Sequence, residues 1–413
     1  MAALASNVWA QAQSLTWDQV REQFQMNNPT LRAAQLSIDE SRAQEITAYL
    51  RPNPDLTAGV DQMNPFSTQP SPTGGSDRYS PLAFAFPTAS VTYLHERQHK
   101  RELRRESQQK ETSITTAQYA DQERTLLFNL RTAFVTTLEQ KAILNLTREN
   151  LAYYNHLMEV SSERLKAGDI AKVDYQRLEL QRVQYETDVQ TAVVNLRTAK
   201  IQLLTLLNDR TPVEQFDVTG TFDFSNEVPA LPELRRTALD TRPDLKAAME
   251  AVDKAQTDHR LAIANGSTDP TFGVDFARNP PIPVYFGVNV TIPLRIFDRN
   301  QGEKLRTQQD ITRNERLRDA ATSQVLNDVD SAYATIQSNL TLLRPYKATY
   351  LNEAVEVRDT VSFAYTRGGA SLLDFLQAQQ DYRSTQLNYL NLVGSYLTAA
   401  AQLNMAVGQE VVR

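Results

Sequence analysis

The chain of 413 residues contains no cysteine. Disulfides, thiolate metal sites and cysteine nucleophiles are excluded together, and no lipid anchor on an N-terminal cysteine is expected. Long apolar runs are missing as well. No window approaches the ~18 consecutive apolar residues of a membrane-spanning helix, so any passage through a membrane must be made by β-strands. Glycine and proline are scarce, 13 and 18 respectively, and they cluster. The long stretches left free of breakers favour long helices. Surplus positive charge is absent too, with a net charge of -6, which argues against a nucleic-acid partner. Hydrophobic residues at 41% and charged residues at 22% nevertheless fit a folded protein rather than a disordered one.

Catalytic patterns are equally thin. No Ser/His/Asp order, glycine-rich phosphate loop or supported carboxylate pair occurs, so neither an enzyme nor a cofactor is expected. His95 and His99 stand four apart and would share one face of a helix, the spacing of a metal pair. No third ligand lies nearby, and Glu96 falls off that face. A polar, solvated junction is the expectation, with no metal site. His156 and His259 are isolated. At the start of the chain, Ala10, Gln11 and Ala12 have the small-x-small form of a signal-peptidase site without a basic region before them. Residues 1–14 are therefore read as a signal remnant or disordered start.

What the sequence does contain is a duplication. Asn28-Pro29-Thr30-Leu31-Arg32-Ala33-Ala34 aligns with Arg242-Pro243-Asp244-Leu245-Lys246-Ala247-Ala248, and the same offset aligns Gly59-Val60-Asp61 with Gly273-Val274-Asp275. Farther on, Gly168 and Asp174 fall opposite Gly368 and Asp374, and Gln202-Leu203 opposite Gln402-Leu403. The offset shrinks because the first copy carries a longer Pro/Gly/Ser loop at 64–81. The first repeat spans 15–207, with helices in 17–51, strands at 54–63 and 81–94, a long helix at 100–166 and a last helix at 172–207. The second spans 233–408, with helices in 233–264, strands at 270–278 and 284–293, a long helix at 300–367 and a last helix at 371–407. Residues 208–232 link the two, with a β-like run at 218–224, and 409–413 form a tail. A breaker-poor stretch of roughly 65 residues makes a helix of roughly 100 Å. Helices of that length cannot fold back into a globule, and covering their apolar stripes calls for assembly with other chains.

The strands alternate. Val284, Phe286, Val288, Val290 and Ile292 share one face, and Tyr285, Gly287, Asn289 and Thr291 the other. Leu56, Ala58 and Val60 oppose Thr57, Gly59 and Asp61, while Phe272, Val274 and Phe276 oppose Gly273 and Asp275. A β-sandwich core has the same period, yet four strands are too few for a sandwich. A lipid-facing barrel built from several chains uses the pattern fully, and places Asp61 and Asp275 in its lumen. Gly168 and Gly368 supply the positive φ that ends a helix. Arg164, Lys166 and Arg367 complement helix C-terminal dipoles.

The segment Ile292-Pro293-Leu294-Arg295-Ile296-Phe297-Asp298-Arg299-Asn300-Gln301-Gly302 resembles the strand-to-helix junction of TolC-family outer-membrane factors, and of their heavy-metal efflux branch (CzcC/CusC-like) in particular. Pro293, Phe297, Asp298, Arg299 and Gly302 carry that motif. Arg164-Leu165-Lys166-Ala167-Gly168-Asp169, Tyr365-Thr366-Arg367-Gly368-Gly369-Ala370 and Leu373-Asp374-Phe375-Leu376-Gln377-Ala378-Gln379 resemble the family's helical turns. The resemblance implies a mainly α protein with a small β part. It would be a homotrimer in which four strands per protomer build a 12-stranded outer-membrane barrel above an α-barrel of long antiparallel helices.

It also implies a passive exit duct in outer-membrane lipid, extending into the periplasm and served by a periplasmic adaptor (membrane fusion) protein and an inner-membrane RND pump, with heavy-metal cations as favoured cargo. Arg164, Lys166, Gly168, Asp169, Asp174, Arg367, Gly368 and Asp374 would then form the periplasmic gate and adaptor-docking set, with inter-helix links holding it shut. Gln377 stands where relatives often place a second acid, and His95-Glu96-Arg97-Gln98-His99 lacks the Phe-Asp-Arg form. The competing readings are the same duct serving a multidrug pump or type I secretion system, and a non-membrane coiled-coil scaffold.

Overall fold

The computed structural model describes residues 13–82, 85–279 and 282–412. After β1 (Gln13–Leu15) the first repeat runs α1 (Trp17–Asn27), α2 (Pro29–Tyr49), β2 (Asp55–Asp61), β3 (Thr68–Gln69), β4 (Arg78–Tyr79), β5 (Phe86–Leu94), α3 (Lys100–Ala167) and α4 (Lys172–Leu207). Next comes β6 (Phe216–Val218). The second repeat continues as α5 (Leu231–Thr241), α6 (Pro243–Asn265), β7 (Thr271–Asn279), β8 (Ile282–Thr291), α7 (Gln301–Pro345), a π-helical turn (Tyr346–Tyr350), α8 (Leu351–Thr366) and α9 (Leu372–Val407).

The chain divides into two compact units. One comprises 1–36, 117–245 and 321–413, the other 37–116 and 246–320. In the first, each repeat builds its own core. Val20, Phe24, Leu130, Phe134, Leu203 and Leu207 are buried together in one, and Leu234, Ala238, Val325, Ile336, Leu403 and Val407 in the other. Val20 and Leu234 occupy matched positions of the duplication, as do Leu203 and Leu403. Each fully buried large side chain contributes about 1.5–3 kcal/mol.

A matched pair of polar latches accompanies these cores. Asn28, buried between α1 and α2, donates from Nδ2 to the Leu206 carbonyl at 3.2 Å. Its Oδ1 accepts from the N–H groups of Thr30 and Leu31, so it caps the helix that Pro29 opens. At the equivalent place Arg242, also buried, donates to the Ala406 carbonyl at 3.2 Å and pairs with Asp244 at 2.6 Å and Asp328 at 2.8 Å. Two different side chains thus hold the end of each repeat's last helix.

Four features differ from the sequence expectations. The expected signal remnant 1–14 falls on 1–12, outside the described residues, and on Gln13 and Ser14, which belong to β1. That strand pairs in parallel with β6. The β-like run at 218–224 forms a strand only at its start, since Phe222 and Phe224 turn to pack on the buried clusters instead. The helix expected at 300–367 is interrupted by the π turn directly after Pro345. Proline has no N–H to give to the carbonyl four residues back and its ring crowds the preceding turn, so the helix departs from regular α geometry beside it. Finally, His95 and His99 do not share a helix face. β5 ends at Leu94, α3 begins at Lys100, and Gln98 and His99 adopt positive φ of 60° and 54° between them.

In the second unit the four longer strands form one antiparallel sheet in the order β2-β5-β7-β8, so the hairpins of the two repeats lie side by side. The loop at 64–81 holds a short extra hairpin, β3 with β4.

Candidate functional site

Two places gather the residues singled out by sequence, the paired helix turns of the first unit and the sheet of the second. At the turns, Gly168 has φ +83° and Gly368 +77°. A Cβ on either would meet nothing within 4 Å, so backbone conformation and not space requires glycine. Asp169 N–H bonds the Arg164 carbonyl at 2.9 Å, and Gly369 N–H bonds the Ala364 carbonyl at 2.8 Å. Both turns therefore close as the same αL-capped helix end.

The charged residues divide by what they touch. Arg164 donates to the Tyr365 carbonyl at 3.3 Å and lies 5.5 Å from that ring, joining the first turn to the second. Lys166 pairs with Glu163 on its own helix at 2.7 Å, and Asp174 with Arg177 at 3.9 Å. Asp169 is exposed. Asp374 accepts from Ser371 Oγ at 2.7 Å and from its N–H at 3.2 Å, while Ser371 Oγ accepts from Asp374 N–H, a complete capping box. These hydrogen bonds hold its carboxyl below the usual range. Arg367 stacks 4.5 Å from Phe363 of its own helix. Within the chain, Arg164 makes a contact between the two turns, while Lys166, Asp174, Arg367 and Asp374 contact their own helices.

Other residues hold the helix pairs together. Arg383 Nη1 donates to Asp188 at 2.9 Å across α9 and α4. Tyr153 OH donates to Ser362 Oγ at 3.0 Å, and Gln379 donates to the same oxygen at 3.2 Å. Beneath the turns Tyr154 stacks on Tyr185 at 4.5 Å and Tyr365 on Phe375 at 4.9 Å, in a buried cluster with Leu178. Burial raises the Tyr154 and Tyr365 hydroxyls. Tyr154 donates to the Leu178 carbonyl at 3.0 Å, whereas the buried Tyr365 hydroxyl has no partner among the described residues. Sequence offered no signal for the ion pair or for the hydroxyl contacts.

Glu139 on α3 lies against Gly394 of α9, where a Cβ would stand 2.5 Å from its carboxylate. Burial raises its pKa to about 6. A carboxyl whose folded pKa lies above its unfolded value favours folding fully below about 4.5, and that contribution is lost as pH rises through about 6. Glu139→Gln is therefore expected to keep at pH 7.5 the stability that the parent shows only near pH 4.5. The gain is about 1 kcal/mol once partial exposure is allowed for. Thermal unfolding in detergent at the two pH values measures it, and identical pH slopes for both proteins would contradict it.

In the sheet, residues opposite one another share a face. Leu56, Val91, Val274 and Val288 form one row, and Ala58, Ala89, Phe276 and Phe286 the next. Rows of the other face read Thr57, Ser90, Asp275, Gly287 and Gly59, Thr88, Ala277, Tyr285. The apolar face is open, with Val288 73% and Leu56 74% exposed. Asp61 and Asp275 lie on the polar face but at different levels, two same-face rows apart. Asp275 accepts from Asn289 Nδ2 at 2.6 Å. Gly273 makes room for Asn289, since a Cβ there would collide with its Oδ1. Sequence placed Asn289 and Gly273 on the polar faces of their strands but gave no sign of this contact.

Below β8 the chain turns at Pro293. Asp298 Oδ1 accepts from Asn300 N–H at 2.8 Å, and Gln301 Oε1 accepts from Arg299 N–H at 2.8 Å. Phe297 is 90% exposed, and Gly302 has nothing within 4 Å of a notional Cβ. The tight position is Gly266, where a Cβ would lie 2.9 Å from the Arg299 carbonyl. At the first repeat's junction Asp269 does comparable work, pairing with buried Lys100 at 2.5 Å and accepting from Arg97 N–H at 2.9 Å. No cluster of three or more metal-ligating side chains occurs among the described residues.

Residues 234–409, nearly the whole second repeat, match the family model described as Outer membrane efflux protein. Over 402 residues the chain is 25% identical to the cobalt-zinc-cadmium resistance protein CzcC of Cupriavidus metallidurans, covering 93% of this chain and 87% of that one. It is 21% identical over 323 residues to the outer membrane protein TolC of Escherichia coli, covering 73% and 65%. Among solved structures it superposes on CusC with a TM-score of 0.77 at 17% identity, covering 98% of this chain and 96% of that one. The duplicated helices, the four-stranded sheet and these matches support an outer-membrane channel of an efflux pump. The likeness to CzcC and CusC supports a channel of that type.

Proposed function

We propose that three copies of this chain form a passive duct that carries heavy-metal cations across the outer membrane. The observation that carries the reading is the four-stranded sheet, one face an open apolar surface and the other polar, with β2 and β8 as its edges. Unpaired edges and an apolar face cannot both stay in water. Three copies with four strands each close a 12-stranded barrel that removes the edges and gives the apolar face to lipid. A second feature supports the trimer. Val173, Leu180, Thr187, Val194 and Ile201 of α4 recur every seven residues and are exposed, the spacing of a seam for a neighbouring helix.

The periplasmic turns at Gly168 and Gly368 then form the closable end, with Arg164, Lys166, Asp169, Asp174, Arg367 and Asp374 on the surface that an adaptor protein meets. An inner-membrane RND pump delivers the cargo. Asp61 and Asp275 line the lumen at separate levels, where they favour cations over anions. The metal assignment rests on the likeness to CzcC and on the junction at 292–302. Deleting the gene and growing the bacterium on zinc, cobalt, cadmium, copper, antibiotics and dyes tests it. Selective metal sensitivity, restored by the gene in trans, is the expected result. Sensitivity to drugs alone would transfer the duct to a multidrug pump.

A further inference from the structure

Along β8 the even-numbered residues Val284, Phe286, Val288, Val290 and Ile292 are all apolar and exposed. The strand ends at Thr291, but the pattern does not. Leu294 is 80% exposed and Ile296 61%, and Phe297 beside them is 90% exposed. These three exposed side chains follow directly in sequence on the apolar row of β8. Arg295 lies between them and Arg299 follows two residues after Phe297, and neither has a carboxylate in ion-pair distance among the described residues. The backbone here is held in place. Asp298 and Gln301 fasten it by their hydrogen bonds to the N–H groups of Asn300 and Arg299, and Asn300 Nδ2 donates to the Ala262 carbonyl at 2.8 Å.

The first repeat has no counterpart. Its apolar row stops at Tyr93, and the chain goes on into the polar run His95, Glu96 and Arg97, with Glu96 in an ion pair with Arg104 at 2.5 Å.

We propose that residues 293–299 form a membrane-interface anchor, in which Leu294, Ile296 and Phe297 enter the acyl region of the periplasm-facing phospholipid leaflet while Arg295 and Arg299 meet its phosphates. The inference rests on the barrel reading of the sheet. Two observations favour lipid over a protein partner. The overhang follows the lipid-facing row in sequence and exposure, and two of its three charges are arginines, the third, Asp298, being bound to the Asn300 N–H, a balance that suits a phosphate-rich boundary. It lies just beyond Thr291, at the end of the apolar row. With one anchor per protomer, it fixes how deeply the barrel sits.

The chain's lack of cysteine makes the test clean. A nitroxide is attached at Phe297→Cys, and separately at Leu294→Cys in case the first variant assembles poorly. Further labels go on Val288→Cys in the centre of the apolar face and on His99→Cys, 88% exposed by side chain, in the first junction. The assembled protein is placed in phosphatidylethanolamine/phosphatidylglycerol vesicles, and collision rates with oxygen and with a neutral nickel chelate are compared. Labels at 297 and 294 are expected to behave like 288, oxygen exceeding nickel, while 99 shows the reverse. Nickel excess at 297 and 294 would place the segment in water. Exclusion of both reagents would place it against protein. Either result overturns the anchor while leaving the barrel intact, whereas loss of oxygen access at 288 would remove both.

Discussion

Val288→Arg is expected to abolish assembly of the protein in the outer membrane. Val288 lies in the central row of the apolar face, opposite Val274, and is 73% exposed. An arginine at the midplane of a lipid-facing strand costs about 2–4 kcal/mol, and a trimer would carry that cost in every copy. The barrel would lose on the order of 30- to 1,000-fold in stability per site, since about 1.4 kcal/mol is a factor of ten. Ser90→Arg is the matched control. It sits on the polar face between Thr57 and Asp275, where the new charge finds water and a carboxylate, and assembly is expected to persist. Outer-membrane fractionation and migration of the unheated protein on gels report both. A fully assembled Val288→Arg variant would rule out lipid against this face.

Arg383→Ala is expected to open the periplasmic end. Its guanidinium is 14% exposed and its Asp188 partner 26%, and the bond between them joins the last helices of the two repeats. A charge-assisted bond this well covered contributes about 1–3 kcal/mol. If the bond exists only in the closed arrangement, its loss shifts the closed-to-open ratio by about 5- to 150-fold. Single-channel conductance in planar bilayers should rise accordingly, and Asp188→Asn should raise it without adding to Arg383→Ala. Additive effects would mean that the two side chains act separately. Arg164→Ala, which frees Tyr365, should act in the same direction. Arg367→Ala should do less than its sequence position suggests, because within the protomer Arg367 contacts only its own helix.

These contrasts mark what sequence carried and what it did not. Period-two alternation is written into each residue of β7 and β8, so their faces were legible before any strand pairing was known. The absence of breakers from 102 to 166 marked α3 in the same way. Gly168 and Gly368 were readable because positive φ makes a demand that few other residues meet. Tyr153, Ser362, Asp188 and Arg383 were not, since inside a helix a hydroxyl or charge on a contact face is indistinguishable from one in water. Asp374 could be seen but not interpreted. Its place three residues after Ser371 gives it a helix cap to hold, while Asp174, with Ala171 in the matching place, has none. His95 and His99 misled because spacing implies a shared face only if the intervening backbone is helical. β1 and β6, three residues each, are too short to show a period.

The order of strands in the sheet also sets a timetable. β5 is paired from Thr88 to Leu94 with β7, a strand on the order of 180 residues later in the chain, and closing a loop of that size delays a pairing far more than it weakens the result. Until β7 arrives, β2 and β5 are a lone hairpin, which is marginal in water. A chain crossing the inner membrane N-terminus first would hold that hairpin with its apolar side uncovered while α3, α4, β6, α5 and α6 are still being delivered. The helices can form as they emerge, but the membrane-inserting part cannot be completed before the second repeat has passed. Such a chain waits in the periplasm half-built, and its yield depends on whatever shields Leu56, Val60 and Val91 during the wait.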